Sequence, residues 1–333
     1  MLIQLLFVLV AIIIGARIGG IGLGVMGGLG LAILTFVFGL QPTAPPIDVM
    51  LMIAAVISAA ASMQAAGGLD YMVKIAEKLL RKNPSKVVWL SPLVTYFFTF
   101  VAGTGHVAYS VLPVIAEVAK ETKVRPERAL GIAVIASQQG ITASPISAAT
   151  VALLGLLAGF DITLFDILKI SIPATLIGVL VGAFSSMKVG KELVDDPEYQ
   201  RRLKNGEITT TASNSNSLQD GYKAKLSVAL FILAAVFIVL FGSIESMRPT
   251  FTVGGELVTL ERPYLIEIIM LSAAALILLC TKTNGLKAAQ GSIFSAGMQA
   301  VVAIFGIAWM GDTFINGNIT ELTESIKGIV TEM

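Results

Sequence analysis

Residues Gly103–Pro113 read GTGHVAYSVLP, and they interrupt an apolar run that begins at Val87 and ends at Ala116. The stretch holds two glycines, the hydroxyls of Thr104, Tyr109 and Ser110, and His106, the only histidine of the chain. Between Lys86 and Glu117 lie 30 uncharged residues, too few for two crossings of a bilayer at ~20 residues each. The piece after the turn, Val107–Ala116, reaches only ~15 Å at 1.5 Å per residue. The lengths predict a re-entrant hairpin over 87–116 that enters and leaves by one face.

A second interruption follows. Between Arg128 and Asp161 lie 32 uncharged residues, ~48 Å as one helix and longer than a crossing requires. Its middle, Ser137–Ser147, reads SQQGITASPIS. Gly140 and Pro145 are expected to interrupt the backbone there, so 129–160 reads as a helix broken in the middle.

Composition sets the class. The chain of 333 residues is 55% hydrophobic and 14% charged, with a mean hydropathy of +0.85, whereas a soluble domain carries roughly 25% charge. Apolar segments recur at 2–15, 21–40, 49–66, 87–116, 129–160, 170–187, 226–242, 264–281 and 293–310. This is the pattern of an all-α, multi-pass membrane protein. No basic residue precedes the first segment, and Arg17 follows it. That order is opposite to a cleaved export signal. One cysteine, Cys280, and one histidine exclude an internal disulfide and a Cys/His metal centre. Neither metal nor cofactor is expected, and a net charge of +1 gives no sign of nucleic-acid binding.

Charge orders the crossings. With 87–116 re-entrant, nineteen of the lysines and arginines fall on one side and four on the other. The basic side belongs in the cytoplasm, which places Met1 outside and 188–225 inside as a cytoplasmic linker. A repeat agrees with this order. Segment 49–66 is followed by GGLDYMVKIAEKLLRKN (67–83), and 293–310 by GDTFINGNITELTESIKGIVTEM (311–333), each a Gly–Asp turn and then apolar residues at helical spacing. Asp70 and Asp312 are expected to cap these two helices. The copies face opposite sides, as in the inverted repeats of secondary transporters. The division is then 1–187 for a first repeat, 188–225 for the linker and 226–333 for an incomplete second repeat. The missing second hairpin and second broken helix make the chain read as truncated at its C-terminal end.

FVAGTGHVAYSVLPVIAEVAKE (100–121), RPERALGIAVIASQQGITASPISAAT (125–150) and MQAVVAIFGIAWMGDTF (298–314) resemble the Dcu family of anaerobic C4-dicarboxylate transporters of bacterial inner membranes. The resemblance runs over essentially the whole chain. It implies carriage of fumarate, succinate, malate and aspartate, commonly as fumarate–succinate exchange, with proton-coupled uptake as a second mode. It also implies an elevator-type fold with one hairpin and one discontinuous helix in each repeat. The partners it implies are dicarboxylates and membrane lipid, with a homo-oligomer left open.

The residues themselves suit a dianion. A fixed positive charge near the bilayer centre is costly, and broken helices avoid it by aiming unpaired N–H groups at a carboxylate. Thr104, Ser110, Ser137, Thr142, Ser144 and Ser147 add hydroxyl donors, and Gln138 and Gln139 add amides. Gly103, Gly105 and Gly140 admit the backbone close to a ligand. Small and hydroxyl residues also serve simple helix packing. His106 reads as a hydrogen-bonding group that closes the tip, with a proton carrier as the alternative. Arg81 and Arg125 flank the hairpin as candidates for drawing in anions, beside ordinary anchoring at the membrane face. Another organic anion on the same fold or a channel with a re-entrant loop are the rival readings. An intramembrane hydrolase pairing His106 with Ser110 lacks the G-x-S-x-G elbow, so no enzyme is expected.

Overall fold

The computed structural model describes residues 1–160, 162–205 and 221–324, apart from the side chains of His106 and Ala158. In chain order the helices are α1 (Leu2–Ile18), α2 (Gly22–Phe36), α3 (Ile47–Ala65), α4 (Gly68–Lys82), α5 (Val87–Ala102), α6 (His106–Glu121), α7 (Pro126–Ala143), α8 (Ala148–Leu156), α9 (Leu164–Ser186) and α10 (Pro197–Lys204). Then follow α11 (Tyr222–Ser243), strands β1 (Thr250–Val253) and β2 (Glu256–Thr259), α12 (Arg262–Thr281), α13 (Gly285–Ala289) and α14 (Ser292–Gly317). Among the described residues, seven helical stretches are long and apolar enough to cross a membrane, and Pro126–Leu156 counts as one of them.

The helices pack as two units, residues 1–54 with 295 onward, and residues 55–294. In the first unit, Gly19 and Gly20 take positive φ and fold α2 back onto α1. Gly24, Gly27 and Gly30 then form a stripe on α2 at a spacing of three. A Cβ at these positions would strike the Val302 carbonyl, the Gly306 backbone and the Met310 sulfur. Small residues at such spacing let two membrane helices approach to backbone contact. Leu31, Leu34, Met310 and Phe314 bury the seam, and the Trp309 indole donates to the Thr43 carbonyl.

The second unit is built on a similar closeness between α5 and α7, made by hydroxyls. Ser91, Thr95 and Thr99 recur every four residues along α5 and are fully buried. Ser91 and Thr95 donate across to the carbonyls of Ala129 and Ala133 on α7. At the end of the stripe Gly140 leaves no room for a Cβ beside Thr99 Oγ1 and the Tyr96 carbonyl. The amphipathic α4 buries Leu69, Met72, Val73, Ala76 and Leu80 on one face, as its 3.6-residue period requires. Helices α11 and α12 form a further antiparallel pair.

Several expectations need correction. The second limb of the hairpin runs to Glu121 and is 16 residues long, ~24 Å, because Glu117 and Glu121 are good helix formers with a partner in Arg81. The break in the long helix falls at 144–147, between α7 and α8, and not at Gly140. Proline removes an N–H and clashes with the preceding turn, while a glycine can remain helical where a neighbour presses close. The fold is otherwise nearly all helical, as the all-α reading expects, with one short β-hairpin between α11 and α12. Strands β1 and β2 pair antiparallel around Gly254–Gly255, both with positive φ. Neither aspartate caps a helix as expected: α4 begins after Gly67 with no side-chain cap bond and Asp70 in its first turn. Asp312 lies inside α14, which runs on to Gly317. Residues 188–205 are held against α7 by hydrogen bonds and are not a loose tether, while the Ser/Thr/Asn-rich 206–220 and the terminal 325–333 lie outside the described residues.

Candidate functional site

The two polar interruptions meet. Helix α5 ends at Gly103, whose φ of 66° is the left-handed region that glycine tolerates without penalty. A Cβ there would lie 2.7 Å from the Ile146 carbonyl oxygen, so the tip presses its backbone onto the break. Gly105 faces Ile141 and the Gln138 amide, whose Nε2 lies 3.6 Å from where its Cβ would be. The juxtaposition brings together two helix starts, α6 just after Gly105 and α8 just after Ser147. Each helix start carries unpaired N–H groups and a partial positive charge of about half a unit.

The hydroxyls divide by their partners. Ser137 is buried and donates to the Val134 carbonyl. Thr142 is exposed and donates to Gln138 O. Ser147 caps α8 by accepting from the Thr150 N–H, and its hydroxyl donates to Thr150 Oγ1. Thr150 in turn donates to the Thr142 carbonyl at 3.3 Å, closing the break from the α7 side. Ser144 is fully buried and accepts a long bond from Ile146 N, 3.4 Å. Its own O–H has no acceptor among the described residues. Ser110 and Gln138 are exposed, and Thr104 and Gln139 are partly buried. His106 opens α6, and the role expected of its imidazole lies outside the described side chains. No charged residue occurs in 88–116 or 129–160, so tip and break are polar without fixed charge.

The expected anion-drawing arginines are held by carboxylates. Arg81 donates to Glu77, Glu117 and Glu121, each at 2.9 Å. The bond it donates to Glu77 leads in holding its guanidinium protonated more firmly than usual. This cluster ties the end of α4 to the end of α6, at the base of the hairpin. Arg125 donates to the Lys191 carbonyl and to Asp196. Asp196 is held below the usual carboxylate range by the Tyr199 N–H and then by Arg125.

Sequence reasoning missed two further groups. Thr150 looked like one more threonine in an apolar helix. Arg128 looked like a flank charge, yet it is 7% exposed. It donates to the carbonyls of Val189 and Gly190 and to Glu192, at 2.7–2.9 Å. Its spacing of three from Arg125 was the only signal that both face one partner.

Comparison with known proteins assigns the family. The family described as "Anaerobic c4-dicarboxylate membrane transporter" matches residues 1–333. The chain is 42% identical to an anaerobic C4-dicarboxylate transporter DcuB of Escherichia coli O6:H1, over 99% of its own length and 74% of the relative's. It is 43% identical to a C4-dicarboxylate transporter DcuA of Helicobacter pylori, covering 99% and 73%, and 42% identical to DcuA of Escherichia coli K12, covering 99% and 75%. No solved structure matches the chain. With seven helices among the described residues long and apolar enough to cross a membrane and this similarity over its whole length, the chain belongs to the family of anaerobic C4-dicarboxylate membrane transporters, which are carriers and not enzymes.

Proposed function

We propose that the chain carries C4-dicarboxylates such as fumarate, succinate, malate and aspartate across the bacterial inner membrane, by exchange and by proton-coupled uptake. The observation that carries this reading is the seating of the hairpin tip on the helix break, Gly103 against the Ile146 carbonyl. Two helix starts and uncommitted donors, Ser144 foremost, then surround one uncharged spot. Each carboxylate of the substrate meets N–H groups and hydroxyls, and no ion is buried permanently. The substrate set proposed is Thr104, Gly105, His106, Ser110, Ser137, Gln138, Gln139, Thr142, Ser144 and Ser147.

The proposed mechanism is of the elevator type, on inverted repeats with a re-entrant hairpin and Met1 outside. Its support is geometric. The base cluster Arg81–Glu117–Glu121 joins the two flanks of the hairpin at one face. Residues 65–70, 221–224 and 282–287, all assigned to the cytoplasm by charge, line one concavity. External labelling of a cysteine at position 86 but not at 120 would sink the topology.

Counterflow in proteoliposomes tests the function: internal succinate should drive uptake of labelled fumarate, with saturation. Ser144→Ala should weaken apparent affinity about tenfold or more, the loss of a hydrogen bond to a charged group at roughly 1.5–3 kcal/mol, and Thr142→Ala should act in the same direction. Linear, unsaturable flux would favour a channel. His106→Gln keeps a donor and an acceptor, so it should preserve both exchange and proton-driven uptake. Selective loss of the proton-driven mode would make His106 the proton carrier.

A further inference from the structure

A concavity of about 410 Å³ lies at the end of the second unit that the charge pattern assigns to the cytoplasm. Three segments build it: the turn from α3 into α4, the start of α11, and the turn from α12 into α13. Lys223, Lys282 and Lys287 line it, with Asp70 as the one carboxylate, a local excess of two positive charges. None of these four side chains has a hydrogen-bond or ion-pair partner among the described residues. The lysines of a positive-inside face need only be scattered. Here they converge on one hollow from two separate segments, and Lys282 does so from a left-handed backbone, φ 53° and ψ 41°. A non-glycine residue adopts that conformation at a cost of roughly 1–2 kcal/mol. Both long helices that start at the hollow, α4 and α11, begin after glycine N-caps with no side-chain cap, which leaves their positive ends open to an anion.

The neighbouring side chains name the source of that anion. Tyr222 is 75% exposed beside Lys223, and Leu279 and Leu286 are 74% and 63% exposed around Lys282 and Lys287. Large apolar side chains interleaved with lysines place acyl chains beside the hollow and headgroups over it, the arrangement of a basic pocket at the cytoplasmic leaflet. We infer that this hollow binds the phosphate headgroup of an anionic phospholipid.

The inference rests on the proposed topology only for the leaflet concerned, since binding in a symmetric nanodisc is indifferent to which face is cytoplasmic. Its test is retention of phosphatidylglycerol by the full chain, read by native mass spectrometry after extraction from mixed phosphatidylcholine and phosphatidylglycerol nanodiscs. The variant Lys223→Gln/Lys282→Gln/Lys287→Gln should lose retained phosphatidylglycerol, at about fivefold weaker binding per lysine removed. Arginine at the same three positions should preserve it. An equal loss of charge at Lys188, Lys191 and Lys204 should leave retention unchanged. Thermal midpoints in pure phosphatidylcholine, equal for all the variants, would show that each is folded. Equal losses in the two glutamine triples would overturn the site in favour of general surface charge. Displacement of the lipid by excess inorganic phosphate would overturn the lipid assignment in favour of a soluble anion, and retention undiminished in the first triple would overturn both.

Discussion

The two ends of the hairpin hold their polar groups in opposite ways. At the tip and the break, Ser144, Ser147 and Thr150 are neutral and buried; Ser147 donates to Thr150 and Thr150 to the Thr142 carbonyl, while the Ser144 O–H is left uncommitted. At the base, Arg81, Arg125 and Arg128 are ionised and face carboxylates, two of them also tying in backbone carbonyls. The difference follows from the solvent at each end. A charge that can reach water or headgroups is cheap to keep, whereas one at membrane depth costs several kcal/mol. The molecule fastens its base with ions and keeps neutral hydroxyls and helix dipoles at the tip and break, the groups proposed above to receive a charged ligand.

The largest effect is expected at the neutral end. Gly140→Val would force two methyl groups into Thr99 and the Tyr96 carbonyl, where a single Cβ already has no room. Overpacking of this kind costs about 3 kcal/mol or more. A marked drop in the thermal midpoint in detergent, together with loss of transport, is the outcome to look for. An unchanged midpoint would mean that the hydroxyl stripe does not set the α5–α7 distance.

At the charged end the loss should be smaller and should not touch the site directly. Arg128→Gln removes three charge-assisted bonds and leaves the carbonyls of Val189 and Gly190 short of donors. It should cost roughly 2 kcal/mol and raise protease sensitivity around 188–205, with dicarboxylate affinity in the surviving protein unchanged. A change of affinity without a change of stability would place Arg128 in the transport pathway and erase the contrast.

Acid should have the smallest effect. Asp196 titrates below its ordinary value when folded. Its contribution is thus fully present above about pH 4, and it disappears only as pH falls through the lowered value. Protease sensitivity of 188–205 should therefore stay flat from neutrality to about pH 5 and rise only below that. A rise near pH 6 would point to another group.

Much of this architecture was legible because bilayer thickness turns length into structure. A turn within 87–116 and a break within 129–160 both followed from counts of uncharged residues; the re-entrant course of the first belongs to the proposed topology. The misreadings have local causes. Gly140 and Pro145 look alike as helix interrupters in a string of letters, yet proline alone alters the hydrogen bonding of the helix. Ser91, Thr95 and Thr99 passed as part of an apolar run, because their period of four means packing only once a partner with Ala129, Ala133 and Gly140 is known. The hold of Arg128 on residues 189–192 spans some sixty positions, and no local pattern reports it. At the candidate site, the polar character of the tip and the break can be read from the letters alone. Which hydroxyl remains uncommitted depends on geometry.

Substrate protection at the break tests the central claim most directly. In the Cys280→Ser background, a single cysteine at Thr142 or Gln138, both exposed beside the break, would be labelled with a small thiol reagent in membranes containing the full chain. Fumarate and succinate should slow that labelling in a saturable manner, while propionate, with one carboxylate, should not. Labelling at both positions that is indifferent to dicarboxylate, in protein that still transports it, would contradict the account and move the site away from the meeting of hairpin tip and broken helix.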